Sequence, residues 1–188
     1  MKKIISVLFA LCLCMAVSAQ QHMKFMGIPL DGTVDNFALK LKAKGVTYDA
    51  VQSKKLSPGS KFYRGTFMGE RACFVVMFNA KSRLVYGVGV EMSYSSLALA
   101  KTPFMDIADK LHNKYPTAVY DRMDKDNSND VLGVSFTIPE ENSTELLGII
   151  MQELKRPDGI LSTDWSINLI YTDVKNYKKH ESLNNEDL

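Results

Sequence analysis

The chain has 188 residues, 46% of them hydrophobic, with 23 Lys and Arg against 21 Asp and Glu and a formal net charge of +2. So even a balance excludes the strong basic field that draws proteins to nucleic acid or anionic lipid. Of the three cysteines, Cys12 and Cys14 fall in an apolar leader; Cys73 alone makes neither an internal disulfide nor a cysteine-based zinc centre.

Residues 1–19 read as a signal peptide. Met1-Lys2-Lys3 is basic, Ile4 to Val17 is almost wholly apolar, and Val17-Ser18-Ala19 supplies small residues, so cleavage is expected after Ala19. The apolar run is short for a membrane span, and Gln20-Gln21-His22 follows at once. Leu11 and Leu13 precede Cys12 and Cys14 where a lipoprotein box needs a small residue, which favours a freely soluble product. The expectation is an exported protein, periplasmic or secreted, with no transmembrane segment after signal removal and no nucleic-acid partner. Loss of Lys2 and Lys3 leaves 21 basic against 21 acidic residues.

The stretch Pro29-Leu30-Asp31-Gly32-Thr33-Val34-Asp35-Asn36-Phe37 comes near the D-x-D-G-T loop of haloacid-dehalogenase-type phosphatases. Its nucleophile position, however, is Pro29, which has no carboxylate to phosphorylate. Apolar residues at 34, 37, 38 and 41 instead predict a helix over 34–44. Thr33 is placed as its N-cap, Asp35 lies in its first turn, Lys42 and Lys44 in its last, and Gly45 at a left-handed stop.

Lys54 to Ser60 reads as loop or a short edge strand, and Lys61 to Glu70 as a strand turning at Met68-Gly69-Glu70. The apolar run Arg71 to Phe78 predicts a central strand covered on both faces, with Cys73 a buried small hydrophobe. Leu84, Tyr86, Val88, Val90 and Met92 alternate with Gly87, Gly89 and Glu91, the pattern of a half-buried strand. The second half restarts with Thr102 as cap and Pro103 at the first helical position. Phe104, Ile107, Ala108, Leu111 and Tyr115 form the stripe, and Pro116 ends it. Strands are expected over Ala118 to Arg122, Val131 to Ile138 and Trp165 to Asp173, the last with Ile167, Leu169 and Tyr171 on one face. Residues 144–155 fit a helix or a strand; Gly148 and Ile149-Ile150 favour the strand.

The predicted fold class is α+β: two tandem helix-plus-antiparallel-meander repeats, 25–94 and 96–174, forming one sheet with helices packed on one face. They make a single domain over 20–174, and 175–188 is a polar, solvated tail.

Local motifs carry little chemistry. Asp124 to Asp130 places oxygen side chains at alternate positions. A calcium loop of the EF-hand type would need glycine at Asn129 and glutamate at Ser135, so a solvated loop is expected. His22, His112 and His180 have no partner at ligand spacing and are expected at the surface. No G-x-S-x-G or H-E-x-x-H occurs. Asn142-Ser143-Thr144 matches a glycosylation sequon and is expected to be accidental. Met77, Met92 and Met105 are placed as core filling. No residue is assigned to a catalytic, cofactor or metal site, and no cofactor is expected.

Met23-Lys24-Phe25-Met26-Gly27-Ile28-Pro29-Leu30-Asp31-Gly32-Thr33, the Lys-rich helix closing on Lys44-Gly45 and the late Ile170-Tyr171-Thr172-Asp173 resemble a group of uncharacterised exported proteins of Bacteroidetes. That resemblance implies export, α+β architecture and a strand at 146–154, and no activity. The paired helix-plus-meander architecture is similar to that of secreted β-lactamase-inhibitor proteins, which are disulfide-bonded, as this chain cannot be. The function expected is a non-catalytic binding or inhibitor-like module of the cell envelope, with an envelope or extracellular protein as partner. The alternatives are a small envelope hydrolase with a dispersed active site and a structural envelope protein.

Overall fold

The structure, a computed structural model, describes the backbone over residues 22–115, 119–123, 132–140, 143–153 and 165–185, and side chains over 22–115 and 165–183. The expected signal peptide, the 124–130 loop and Asn142 lie outside the described residues.

The chain opens with a hairpin of β1 (Lys24–Phe25) and β2 (Ile28–Pro29). Met26 and Gly27 turn it with φ of 50° and 78°. Two consecutive positive values match the right-handed twist of the flanking strands. Helix α1 (Val34–Ala43) follows, burying Val34, Phe37 and Leu41. Its end is as expected: Gly45 has φ 81°, and the N–H groups of Gly45 and Val46 return to Lys42 and Leu41. Its start differs. The Thr33 hydroxyl makes no capping bond. Thr33 instead bridges Leu84, and the Val34 N–H donates to the Arg83 carbonyl, so the neighbouring chain satisfies the first turn.

A short edge strand β3 (Thr47–Tyr48) and one turn of helix α2 (Ala50–Ser53) lead to β4 (Ser60–Phe67), β5 (Glu70–Phe78) and β6 (Val85–Tyr94). Helix α3 (Leu97–Lys114) then crosses to β7 (Val119–Met123), β8 (Leu132–Glu140), β9 (Ser143–Glu153) and β10 (Trp165–Thr172), and α4 (Val174–Asn185) ends the described chain. Strands β3 to β10 form one antiparallel sheet in the order β3-β4-β5-β6-β10-β9-β8-β7. The architecture is α+β, and residues 143–153 are strand, as Gly148 and the paired isoleucines favour.

Alternate residues place one sheet face in the core. Phe74, Val76, Val88, Val90, Ile167 and Leu169 join Phe37 and Leu41 of α1 and Phe104, Ile107 and Leu111 of α3 in one buried cluster. The hairpin supplies Phe25, whose ring lies 5.1 Å from Tyr171 and 5.7 Å from Phe67.

Five further expectations are corrected. Strand β5 is buried on one face only: Cys73, Val75 and Met77 are half-exposed, because no second layer follows from an apolar run alone. Tyr86 does not share a face with Val88, since the register slips from Met77↔Gly87 to Phe78↔Val85 and Tyr86 becomes the extra residue of a bulge. Helix α3 starts at Leu97, capped by Ser96, and runs through Pro103. Met105, on the outer side of α3, is 49% exposed, whereas Met92 is buried as expected. The polar tail is helical over Val174–Asn185, docked by the buried Asn176.

Candidate functional site

The sheet face opposite α1 and α3 is assembled by register. Across β4, β5 and β6, one row runs Phe62↔Val75↔Gly89 and the next Arg64↔Cys73↔Glu91. On β10, Ile170 lies opposite Gly89 and Asn168 opposite Glu91. These side chains alternate with the buried ones, so they share the outer face.

A depression of about 350 Å³ opens in this face, lined by Phe62, Cys73, Val75, Gly89, Glu91, Asn168 and Ile170 among others. Its cause is a missing side chain. A Cβ at Gly89 would meet nothing closer than the Val75 carbonyl oxygen at 3.9 Å. At Gly87 the corresponding space is filled, with the Met77 methyl 2.8 Å from where a Cβ would stand. Ile170, at 45% exposure, forms an apolar rim.

Two charges flank the hollow. Arg64 donates from Nε to Asp49 Oδ2 at 2.8 Å, and its guanidinium lies 5.2 Å from the Phe62 ring centre. Asp49 is lowered from the usual carboxylate range by the Gln52 backbone N–H and then by Arg64. Glu91 is exposed and accepts only from Ser93 Oγ, at 3.4 Å; it makes no ion pair among the described residues. Asn168 donates to Ser166 Oγ at 2.7 Å.

Cys73 sits half-buried in the hollow, not in the core as the apolar run suggests. Burial raises its thiol pKa, and Arg64, 3.7 Å from Sγ through Nη1, offsets this only in part. A thiol held protonated is a poor nucleophile. The hollow thus sets an apolar floor beside the charged groups of Arg64 and Glu91.

His22 and His180 are partly buried rather than at the surface as expected, whereas His112 is exposed as expected. His22 Nδ1 lies 2.8 Å from Asp173 Oδ2, and Asp173 is 2% exposed. The same oxygen accepts the Met23 N–H at 3.0 Å, while Oδ1 accepts the Asn176 N–H at 2.9 Å and caps α4. Asn176 in turn donates to the carbonyls of Leu30 and Val85. A His–Asp pair resembles two members of a catalytic triad, yet no hydroxyl or thiol among the described residues bonds His22. The geometry is a clasp between the entry to β1 and the junction of β10 and α4. His180 packs flat on Tyr86, ring centres 4.4 Å apart, and meets Asn79 Nδ2 at 3.1 Å; His112 is exposed on α3.

Sequence reasoning found the glycine alternation of β6 but neither the hollow nor the clasp. The available signal for the clasp was Asp173 three residues before Asn176, a helix N-cap pattern directly after a strand. A second depression, of about 330 Å³, lies between α1 and β3 against Leu39, Val46, Tyr48 and Tyr63, with few polar groups to orient a ligand.

Among the described residues no three His, Cys, Asp or Glu side chains are grouped to hold a metal ion, and no helix is long and apolar enough to cross a membrane. In comparisons with known proteins, no family model, no curated protein and no solved structure matches this chain.

Proposed function

We propose that this is an exported, non-catalytic binding or inhibitor-like module of the cell envelope, and that its open sheet face is the binding surface. The observation that carries the reading is the Gly89 hollow, an apolar depression on a sheet face that α1 and α3 leave free. An apolar centre with a charged margin is the arrangement found at protein contacts.

Three further features support this reading. The basic and apolar leader of residues 1–19 favours export, to the periplasm or beyond. The likeness to exported Bacteroidetes proteins agrees with it. The strand order supports the two-repeat description over 25–94 and 96–174. Leaving aside the β1–β2 hairpin and the single turn α2 of the first half, each half has a helix and then four antiparallel strands, β3 to β6 and β7 to β10, and the halves meet where β6 pairs with β10.

The test compares capture by the immobilised wild type with capture by Ile170→Asp, using periplasm and culture medium. A protein retained by the wild type and lost on Ile170→Asp is the expected result. Equal retention by both, or none by either from a protein that also does not self-associate through this face, refutes the open face as the binding surface.

A further inference from the structure

The open face is complementary to itself. Strand β5 lies between β4 and β6, with neighbours about 4.8 Å to either side. A two-fold axis laid along β5, between two stacked sheets, exchanges β4 of one copy with β6 of the other. The strand register then dictates what meets what. In the Val75 row, Phe62 faces the partner's Gly89; in the Cys73 row, Arg64 faces the partner's Glu91.

Both meetings are favourable. The largest side chain of the outer β4 face lies over the one open hollow of β6, where a Cβ would touch nothing within 3.9 Å. Arg64, 55% exposed, keeps Nε on Asp49 and Nη1 against Cys73 Sγ and leaves Nη2 for the carboxylate of Glu91, which has no cation of its own among the described residues. Two-fold symmetry makes each contact twice, two rings in two hollows and two ion pairs. Val75 and Cys73, on the axis, meet their own equivalents.

We infer that the partner which fits this face is a second copy of the chain, the two sheets stacked with a two-fold axis along β5. The inference rests on the open face being a binding surface and adds its occupant. An unrelated partner would also be served by an apolar hollow. Complementarity of size in one row and of charge in the next, both satisfied by a single operator, is what an isologous dimer requires. Stacked sheets with near-aligned strands are a standard packing at about 10 Å, and the balance of 21 basic against 21 acidic residues left without Lys2 and Lys3 sets up no strong repulsion against association.

Sedimentation velocity on the exported protein tests this. The wild type is expected to dimerise, and Gly89→Val to weaken the dimer about tenfold or more with unchanged thermal unfolding, because the valine fits the free strand but fills the hollow. Glu91→Arg is expected to weaken it similarly, and Arg64→Glu combined with Glu91→Arg to restore part of the loss. Arg64→Glu also gives up Asp49, so Gly89→Val is the deciding variant.

A wild type that stays monomeric to roughly a hundred micromolar, or a dimer indifferent to both Gly89→Val and Glu91→Arg, overturns the inference. If the wild type is monomeric while Ile170→Asp abolishes capture of a different protein, the binding face stands and the second copy falls. If neither self-association nor capture depends on the face, both fall.

Discussion

Asp173 shows how much one side chain can organise. It sits 2% exposed at the junction of β10 and α4, with both carboxylate oxygens engaged. One oxygen holds His22 and the Met23 N–H, and the other caps α4 through Asn176. Replacing it by alanine removes an N-cap and leaves buried N–H donors without acceptors. Those losses together amount to about 3 kcal/mol. Asp173→Ala is therefore expected to lower unfolding stability by about that amount in urea titrations. His22→Ala should cost clearly less, since the two backbone N–H bonds to Asp173 survive. A loss below about 1 kcal/mol for Asp173→Ala would show that the clasp is replaceable by water.

Helix α3 shows packing overruling a local signal. Proline at a first helical position is a common start, and Thr102-Pro103 reads that way. Yet Ala100, upstream of both, is fully buried on the same stripe as Phe104, Ile107 and Leu111. Extending the helix back to Leu97 buries Ala100 and lets Ser96 Oγ accept the Leu99 N–H at 3.3 Å. The cost is a proline in the seventh helical position, unable to donate to the Leu99 carbonyl. Pro103→Ala is expected to raise stability by at least about 1 kcal/mol, read from the shift in thermal midpoint. An unchanged or lower midpoint would mean that proline's restriction of the unfolded chain outweighs the missing bond. Helix α4 makes the same point: its composition is polar, but Asn176 and the Tyr177 ring against Tyr86 dock it.

For the whole molecule, the buried phenols set an alkaline limit. Burial, and after it Tyr48 and Asp35, pushes Tyr63 up to about 12, and burial likewise raises Tyr171. In the unfolded chain a tyrosine titrates near 10. The native state therefore holds its proton more tightly, so the stabilisation is complete below pH 10 and is lost as pH rises towards 12. Unfolding followed by the fluorescence of the buried Trp165 should set in over that interval. Tyr63→Phe, which removes one ionisation, should move the midpoint upward. Unfolding complete below pH 10 would assign the alkaline limit to other groups. At the acid end, Asp35 is held low by Arg83, but the pair is exposed and screened, so its loss on acidification has little effect.

The sequence by itself determined the period of several elements. The stripe of α1 and the alternation along β10 follow from side-chain direction, which repeats every 3.6 residues in a helix and every two in a strand, while residue type marked the stop at Gly45 and favoured the strand over the helix at 143–153. What it could not determine is which face another layer would cover. Cys73 and Val75 belong to an apolar run that suits a two-sided core, and only the placement of α1 and α3 on the opposite face leaves them at the surface. The Tyr86 bulge, the pairing of β6 with β10 and the His22–Asp173 contact depend on partners brought together across up to 151 residues. The row that sets Phe62 against Gly89 exists only once three strands are in register, because complementarity between strands is a property of their alignment, and alignment is decided by the fold.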